Sequence, residues 1–138
     1  MHLFVPYYPF GYQGGISVKS QQNCPVEATL DLIGGKYKAL ILWHLATSKL
    51  RYCQLRDRLE GITPKMLTQQ LRELESKQLI HREVFPIVPP KVEYSLTELG
   101  QSLMPILVAM RDWGASYLRQ SKVEPDCFMM TPAALPNL

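Results

Sequence analysis

Apolar residues recur through the middle of the chain at helical spacing, and helix-breaking residues punctuate them. Val26, Leu30 and Ile33 share one face of a segment that opens at Cys24-Pro25 and stops at Gly34-Gly35. Proline at the first helical position forfeits no hydrogen bond, and glycine ends the last turn. A second helix is predicted from Lys36 to about Ala46, burying Leu40, Ile41, Trp43 and Leu45. Thr47-Ser48-Lys49 makes a turn. A third helix follows from about Tyr52 to Leu59, with Leu55 and Leu59 four apart. After the tight turn Glu60-Gly61-Ile62, Thr63 caps a fourth helix with Pro64 at its first position. Leu67, Leu71 and Leu74 form the buried side of that helix.

The period then changes. Leu79–Phe85 and Lys91–Leu96 read as two strands joined by the stiff tip Pro86-Ile87-Val88-Pro89-Pro90. Thr97 caps a last helix running to about Gln120, with a kink expected at Pro105. Helix, helix, short turn, helix and hairpin is the order of a winged helix-turn-helix. The fold class is therefore mainly α with a small β hairpin, ending in a C-terminal dimerisation helix at about 97–120. Residues 1–22 lack periodicity and read as a flexible arm. Residues 23–120 form the domain, and 121–138, with three prolines, read as a loose tail.

Charge sharpens this picture. Between Lys36 and Arg72 stand eight basic side chains against Asp57 and Glu60, so this segment carries +6 and leaves −3 to the rest of a chain whose net charge is +3. Such a split suits one face for a polyanion, although a solvated basic surface would look the same. At 138 residues with 46% apolar content, one domain with a real core is expected. No apolar stretch approaches the roughly 18 residues of a membrane span. The N-terminus, rich in proline and tyrosine, does not resemble a signal peptide. Cys24, Cys53 and Cys127 are scattered without metal-ligand spacing. A cytoplasmic location with reduced thiols and no cofactor is expected.

The outer side of the fourth helix offers Thr63 and Met66 near its start, then Lys65, Thr68, Gln69 and Arg72, with no acid before Glu73. Lysine and arginine reach guanine acceptors or phosphates, and glutamine pairs bidentately with adenine. A helix of this width enters the major groove of double-stranded DNA. A merely polar solvent face is the alternative, and the flanking turn and hairpin favour readout. Beside the hairpin stand His81, Arg82 and Lys91, placed for phosphates or the minor groove. Arg51 and Lys36 are further candidates for supporting contacts. A hairpin that only packs is the competing view.

Leu99, Leu103, Ile106, Met110, Trp113 and Tyr117 are spaced 4, 3, 4, 3, 4 along the last helix, with Leu107 widening the seam. This heptad seam suits a second copy of the chain, giving a two-fold dimer on a near-palindromic site; inward packing is the alternative. An exposed helix used for protein partners would need apolar anchors, and Lys65, Thr68, Gln69 and Arg72 offer none. An effector pocket lined by Trp43, Met110, Trp113 and Tyr117 stays open, although a dry core uses the same residues. His44 lies in an apolar helix and reads as a satisfied packing residue. Catalysis is not expected: there is no phosphate loop, nucleophile elbow or carboxylate pair.

The chain resembles the HxlR-type winged-helix regulators over about residues 24–118. The matching pieces are Cys24-Pro25, Leu32-Ile33-Gly34-Gly35-Lys36, Ile41-Leu42, the run from Leu67 to Glu75, the run from Val92 to Gly100, Pro89-Pro90 and Trp113-Gly114. Tyr37 stands where the family usually has tryptophan, and Thr63 replaces the commoner serine. The resemblance implies a bacterial transcription factor acting as a homodimer. It implies that the helix corresponding to Thr63–Lys77 enters the major groove and that the first and last helices build the dimer interface. It also implies that Cys24 is a candidate oxidant or electrophile sensor. A thiolate there would be favoured by unpaired amides and the helix dipole, whereas a reduced structural cysteine is the other reading. Cys53 is expected to pack.

Overall fold

Residues 23–130 are described by the computed structural model; the expected arm at 1–22 and the end of the tail, 131–138, lie outside the described residues. The helix ends fall where the punctuation residues stand. α1 (Pro25–Ile33) begins after Cys24, and the Gly34 N–H closes its last turn on the Leu30 carbonyl at 2.6 Å. α2 (Lys38–Thr47) buries Ile41, Leu42, Trp43, His44 and Leu45. α3 (Tyr52–Arg58) and α4 (Pro64–Ser76) are joined by a turn in which Gly61 takes φ +75°, a left-handed conformation that favours glycine.

The sheet has one strand more than the sequence suggests. β1 (Leu50–Arg51) precedes α3 and pairs antiparallel with β3 (Lys91–Leu96), placing Leu50 opposite Tyr94 and Arg51 opposite Glu93. β2 (Ile80–Phe85) pairs with the other edge of β3, so the order is β1-β3-β2. Two residues are too few for any period to be visible; only the pairing defines this strand.

The expected last helix is two helices. α5 (Glu98–Ser102) ends at Leu103, and α6 (Met104–Gln120) starts there, with Pro105 in its first turn. The proline's missing N–H costs nothing at a helix start, so the chain breaks where a kink was expected. This divides the predicted seam. Leu99 (8% exposed) and Leu103 (7%) belong to the chain's own core, as does Leu107, and they are not available to a partner. Ile106 (41%), Met110 (51%), Trp113 (70%) and Tyr117 (56%) face outward, and on α1 Val26 and Leu30 do the same.

The core gathers Ile41, Leu42, Trp43, Leu55, Leu67, Leu74, Leu79 and Met104, all fully buried. α2 packs on β3 and α6, and α4 packs on β2. Part of the expected tail docks on it: a single 3-10 turn at Phe128–Met130 lays the Phe128 ring on His44, centroids 3.7 Å apart. Arg111 donates to the Met129 carbonyl at 3.4 Å and lies over the Trp43 ring. His44 is thus a packing residue but not a satisfied one, since its Nε2 has no hydrogen-bond partner.

Candidate nucleic-acid interface

α4 is aimed by its leucines. Leu67, Leu71 and Leu74 are buried, each contributing about 1.5–3 kcal/mol relative to exposure. That fixes the helix roll and leaves Lys65, Gln69 and Arg72 exposed. Lys65, Thr68, Gln69 and Arg72 line one shallow surface with Pro64 and Glu73. At the helix start the Thr63 hydroxyl accepts from the Met66 N–H at 3.1 Å, as an N-cap should. Met66 is exposed beside it.

Thr68 is less free than its neighbours. The Tyr52 hydroxyl, from α3, donates to the Pro64 carbonyl at 3.1 Å and sits 3.5 Å from Thr68 Oγ1. Tyr52 therefore ties the two helices of the helix-turn-helix together. Sequence reasoning missed this role, because a single aromatic at a helix start carries no sign of what it reaches.

Between α4 and the hairpin runs a groove of about 380 Å³ lined by Tyr52, Thr68, Leu71, Arg72, Glu75, Arg82 and Tyr94. Arg72 and Arg82 come to it from opposite sides. With Lys65 they form no ion pair among the described residues, so their charges are uncommitted. Lys91 differs. Its ammonium pairs with Glu93 at 2.8 Å and lies 4.9 Å from the Phe85 ring centre. That hydrogen bond holds the Glu93 carboxyl below its ordinary value. Lys91 is thus committed within the sheet, in contrast to Arg82. Arg51 is exposed on β1, its N–H donating to Gln54 Oε1 at 2.8 Å. Lys36 is exposed in the α1–α2 loop, its ammonium 5.2 Å from the Tyr37 ring centre.

One acid on α4 bears on the same face. Glu73 takes the Lys38 ammonium of α2 on Oε2 at 2.7 Å and the Gln69 carboxamide N–H on Oε1 at 3.2 Å. The Lys38 hydrogen bond keeps its carboxyl below the usual value. No sequence period announces a contact between α2 and α4.

The cysteines are all exposed and unpaired. Cys24 is the N-cap of α1, without a side-chain capping bond. Cys53, expected to pack, is exposed on α3, because the buried side of that helix is set by Leu55. Trp43 is fully buried, whereas Met110, Trp113 and Tyr117 face outward, so these four do not line a pocket within one chain.

Residues 32–122 match the model of the HxlR-like helix-turn-helix family. The chain belongs to this family. Among HxlR-like relatives, the HTH-type transcriptional regulator YdeP of Bacillus subtilis is 55% identical over 96 residues, 70% of this chain and 75% of YdeP. An HTH-type transcriptional regulator of Methanothermobacter thermautotrophicus is 49% identical over 115 residues, 83% of this chain and 87% of that protein. Among solved structures, the redox regulator HypR in its oxidised form is 54% identical and superposes with a TM-score of 0.65, covering 67% of this chain and 96% of HypR. This HxlR-like chain is accordingly a helix-turn-helix regulator of transcription that binds DNA.

Proposed function

We propose that the protein acts in the cytoplasm as a homodimer on a near-palindromic operator, without catalytic activity, and that α4 of each copy reads one half-site in the major groove. The observation that carries this is the outer face of α4: Lys65, Gln69 and Arg72 are exposed on one side while the leucines opposite are buried. Arg72 and Arg82 supply unpaired charge from both sides of the adjoining groove. Thr63 and Met66 meet the backbone near the helix start, and Thr68, beside the Tyr52 hydroxyl, adds a further hydroxyl. Arg82, Arg51 and Lys36 take phosphates, with Lys91 in a lesser part because Glu93 already holds it. Two such helices related by a dyad stand about one turn of DNA, roughly 34–36 Å, apart.

A redox response through Cys24 is part of the proposal. The thiol is exposed at a helix N-terminus, and the similar HypR is a redox regulator. A peroxide would oxidise the thiol to a sulfenic acid, itself being reduced to water or an alcohol, and a second thiol such as Cys127 or Cys24 of the other copy would then displace water to close a disulfide that alters the dimer.

Selection of bound duplexes from a random pool tests both parts. Wild type should return a short inverted repeat, with binding that weakens steeply with salt. Arg72→Ala should lose about 1–3 kcal/mol of affinity. Unchanged affinity in that variant would remove the docking. Equal binding by oxidised and reduced wild type would end the role of Cys24, whereas an oxidation effect lost in Cys24→Ser would support it.

A further inference from the structure

We propose that Lys38 and Glu73 are positioning residues that hold the Gln69 carboxamide in one orientation, so that Gln69 presents its carbonyl oxygen to the bases and prefers adenine. The inference rests on the reading of α4 as the helix in the major groove. Each oxygen of the Glu73 carboxylate is used: Oε2 by the Lys38 ammonium at 2.7 Å, Oε1 by Gln69 Nε2 at 3.2 Å. A carboxamide can meet a carboxylate only through its NH₂ group, since its oxygen has nothing to donate. The negative charge of Glu73 therefore decides which way the Gln69 amide is turned.

Lys38 makes that orientation durable. A carboxylate facing DNA would otherwise be repelled by phosphates and swing away, taking the carboxamide with it. The Lys38 side chain is 16% exposed against 41% for that of Glu73, and it rises from a helix whose next turn holds the fully buried Ile41 and Leu42. The anchor is thus the less exposed partner, rooted in a helix that packs into the core, while the amide it serves lies on the outer face. Partly exposed ion pairs add little to stability; the consequence here is geometric.

With one N–H committed to Glu73, Gln69 retains its carbonyl oxygen and a second N–H. That pair matches adenine, whose N6 amine donates and whose N7 accepts. An unheld carboxamide could rotate and offer N–H groups to guanine or thymine acceptors as well. Loss of the anchor should blur the choice of base without abolishing binding.

The test uses the full chain and duplexes carrying the operator selected from a random pool. Gln69→Ala first identifies the base pair whose preference depends on Gln69. Four duplexes differing only at that pair are then titrated. Wild type should favour adenine on the order of tenfold or more, as a bidentate contact does. Glu73→Gln and Lys38→Met should each cut that preference by about threefold or more, as expected when such a contact loses its fixed geometry. Preferences elsewhere in the site and the Tm should change little, and Lys38→Arg should restore the adenine preference. In a Gln69→Ala background, Glu73→Gln should have no further effect at this pair. The relay is overturned if Glu73→Gln leaves the adenine preference intact, or if it weakens binding equally at all four duplexes. A selected operator whose profile ignores Gln69→Ala would overturn the docking of α4 as well, which separates that failure from failure of the relay alone.

Discussion

Burial, and then the positive charge of Arg58, lower the His44 pKa from 6.5 to about 4. The imidazole is therefore neutral in the folded chain at pH 7, stacked on Phe128 with its Nε2 unpaired. The unfolded chain binds a proton at His44 below about pH 6.5, whereas the folded chain does not until about pH 4. Stability contributed by neutral His44 is thus complete above pH 6.5 and drains as pH falls toward 4. By proton linkage the loss reaches about 2 kcal/mol at pH 5. Glu73 and Glu93, whose pKa values are lowered from 4.5, give up their contributions below that value, so the upper part of the window belongs to His44. Urea unfolding at pH 7 and pH 5 should show this difference in wild type and a much smaller one in His44→Leu. An equal loss in the variant would assign the effect elsewhere. At this scale the sequence said His44 was a packing residue, but what packs on it comes from position 128, more than eighty residues away, and no local pattern reports that.

Gly100 shows how closely α5 is set against the hairpin. The Thr97 hydroxyl donates to the Gln78 carbonyl at 2.6 Å and accepts from the Gly100 N–H at 3.0 Å, while the Thr97 backbone N–H donates to the Leu79 carbonyl at 3.2 Å. A Cβ added at Gly100 would overlap that same Leu79 carbonyl oxygen, which is backbone and cannot rotate away. Gly100→Ala should therefore cost about 1–3 kcal/mol, read as a fall of roughly 4–15 °C in Tm. An unchanged Tm would mean that α5 can move off the Leu79 carbonyl freely. The same region marks where element-level reading stops working. Starts at Pro25 and Pro64, and the stop at Gly34, were legible because those residues act through their own backbone. The roll of α4 was legible because three leucines at helical spacing must turn inward. β1 was not, since two residues become a strand only through pairing with Glu93 and Tyr94. The α5–α6 break was half legible. Pro105 announced a disturbance, but whether a helix bends or ends depends on what can receive the two pieces, and here the core receives Leu99 and Leu103.

At the scale of the whole molecule, α6 carries an inner apolar face and an outer one. Met104, Leu107 and Ala115 of α6 are buried, while Ile106, Met110, Trp113 and Tyr117 run along the opposite side at spacings of 4, 3 and 4. Trp113 and Tyr117 stack in the open, ring centres 5.4 Å apart. Exposing four large apolar side chains in one row, with Val26 and Leu30 also bare on α1, is costly for an isolated chain. A stable dimer buries about 800 Å² on each partner, and exposed rows on two helices are a natural source of it. The seam predicted from six residues is thus retained in its last four, and the partner contact proposed for it rests on those. Charge placed at the centre of the row should break the pairing. Trp113→Glu would put two carboxylates into one two-fold interface, where each lacks a partner and repels the other. The variant should elute as a monomer on a sizing column with its circular dichroism unchanged, because Trp113 does not support the chain's own core. Its affinity for a complete inverted repeat should fall toward that for a half-site, since the second helix would no longer be held on the same molecule. Leu103→Glu should instead unfold the chain. A Trp113→Glu protein that stays dimeric and binds the full operator as wild type does would move the interface away from α6.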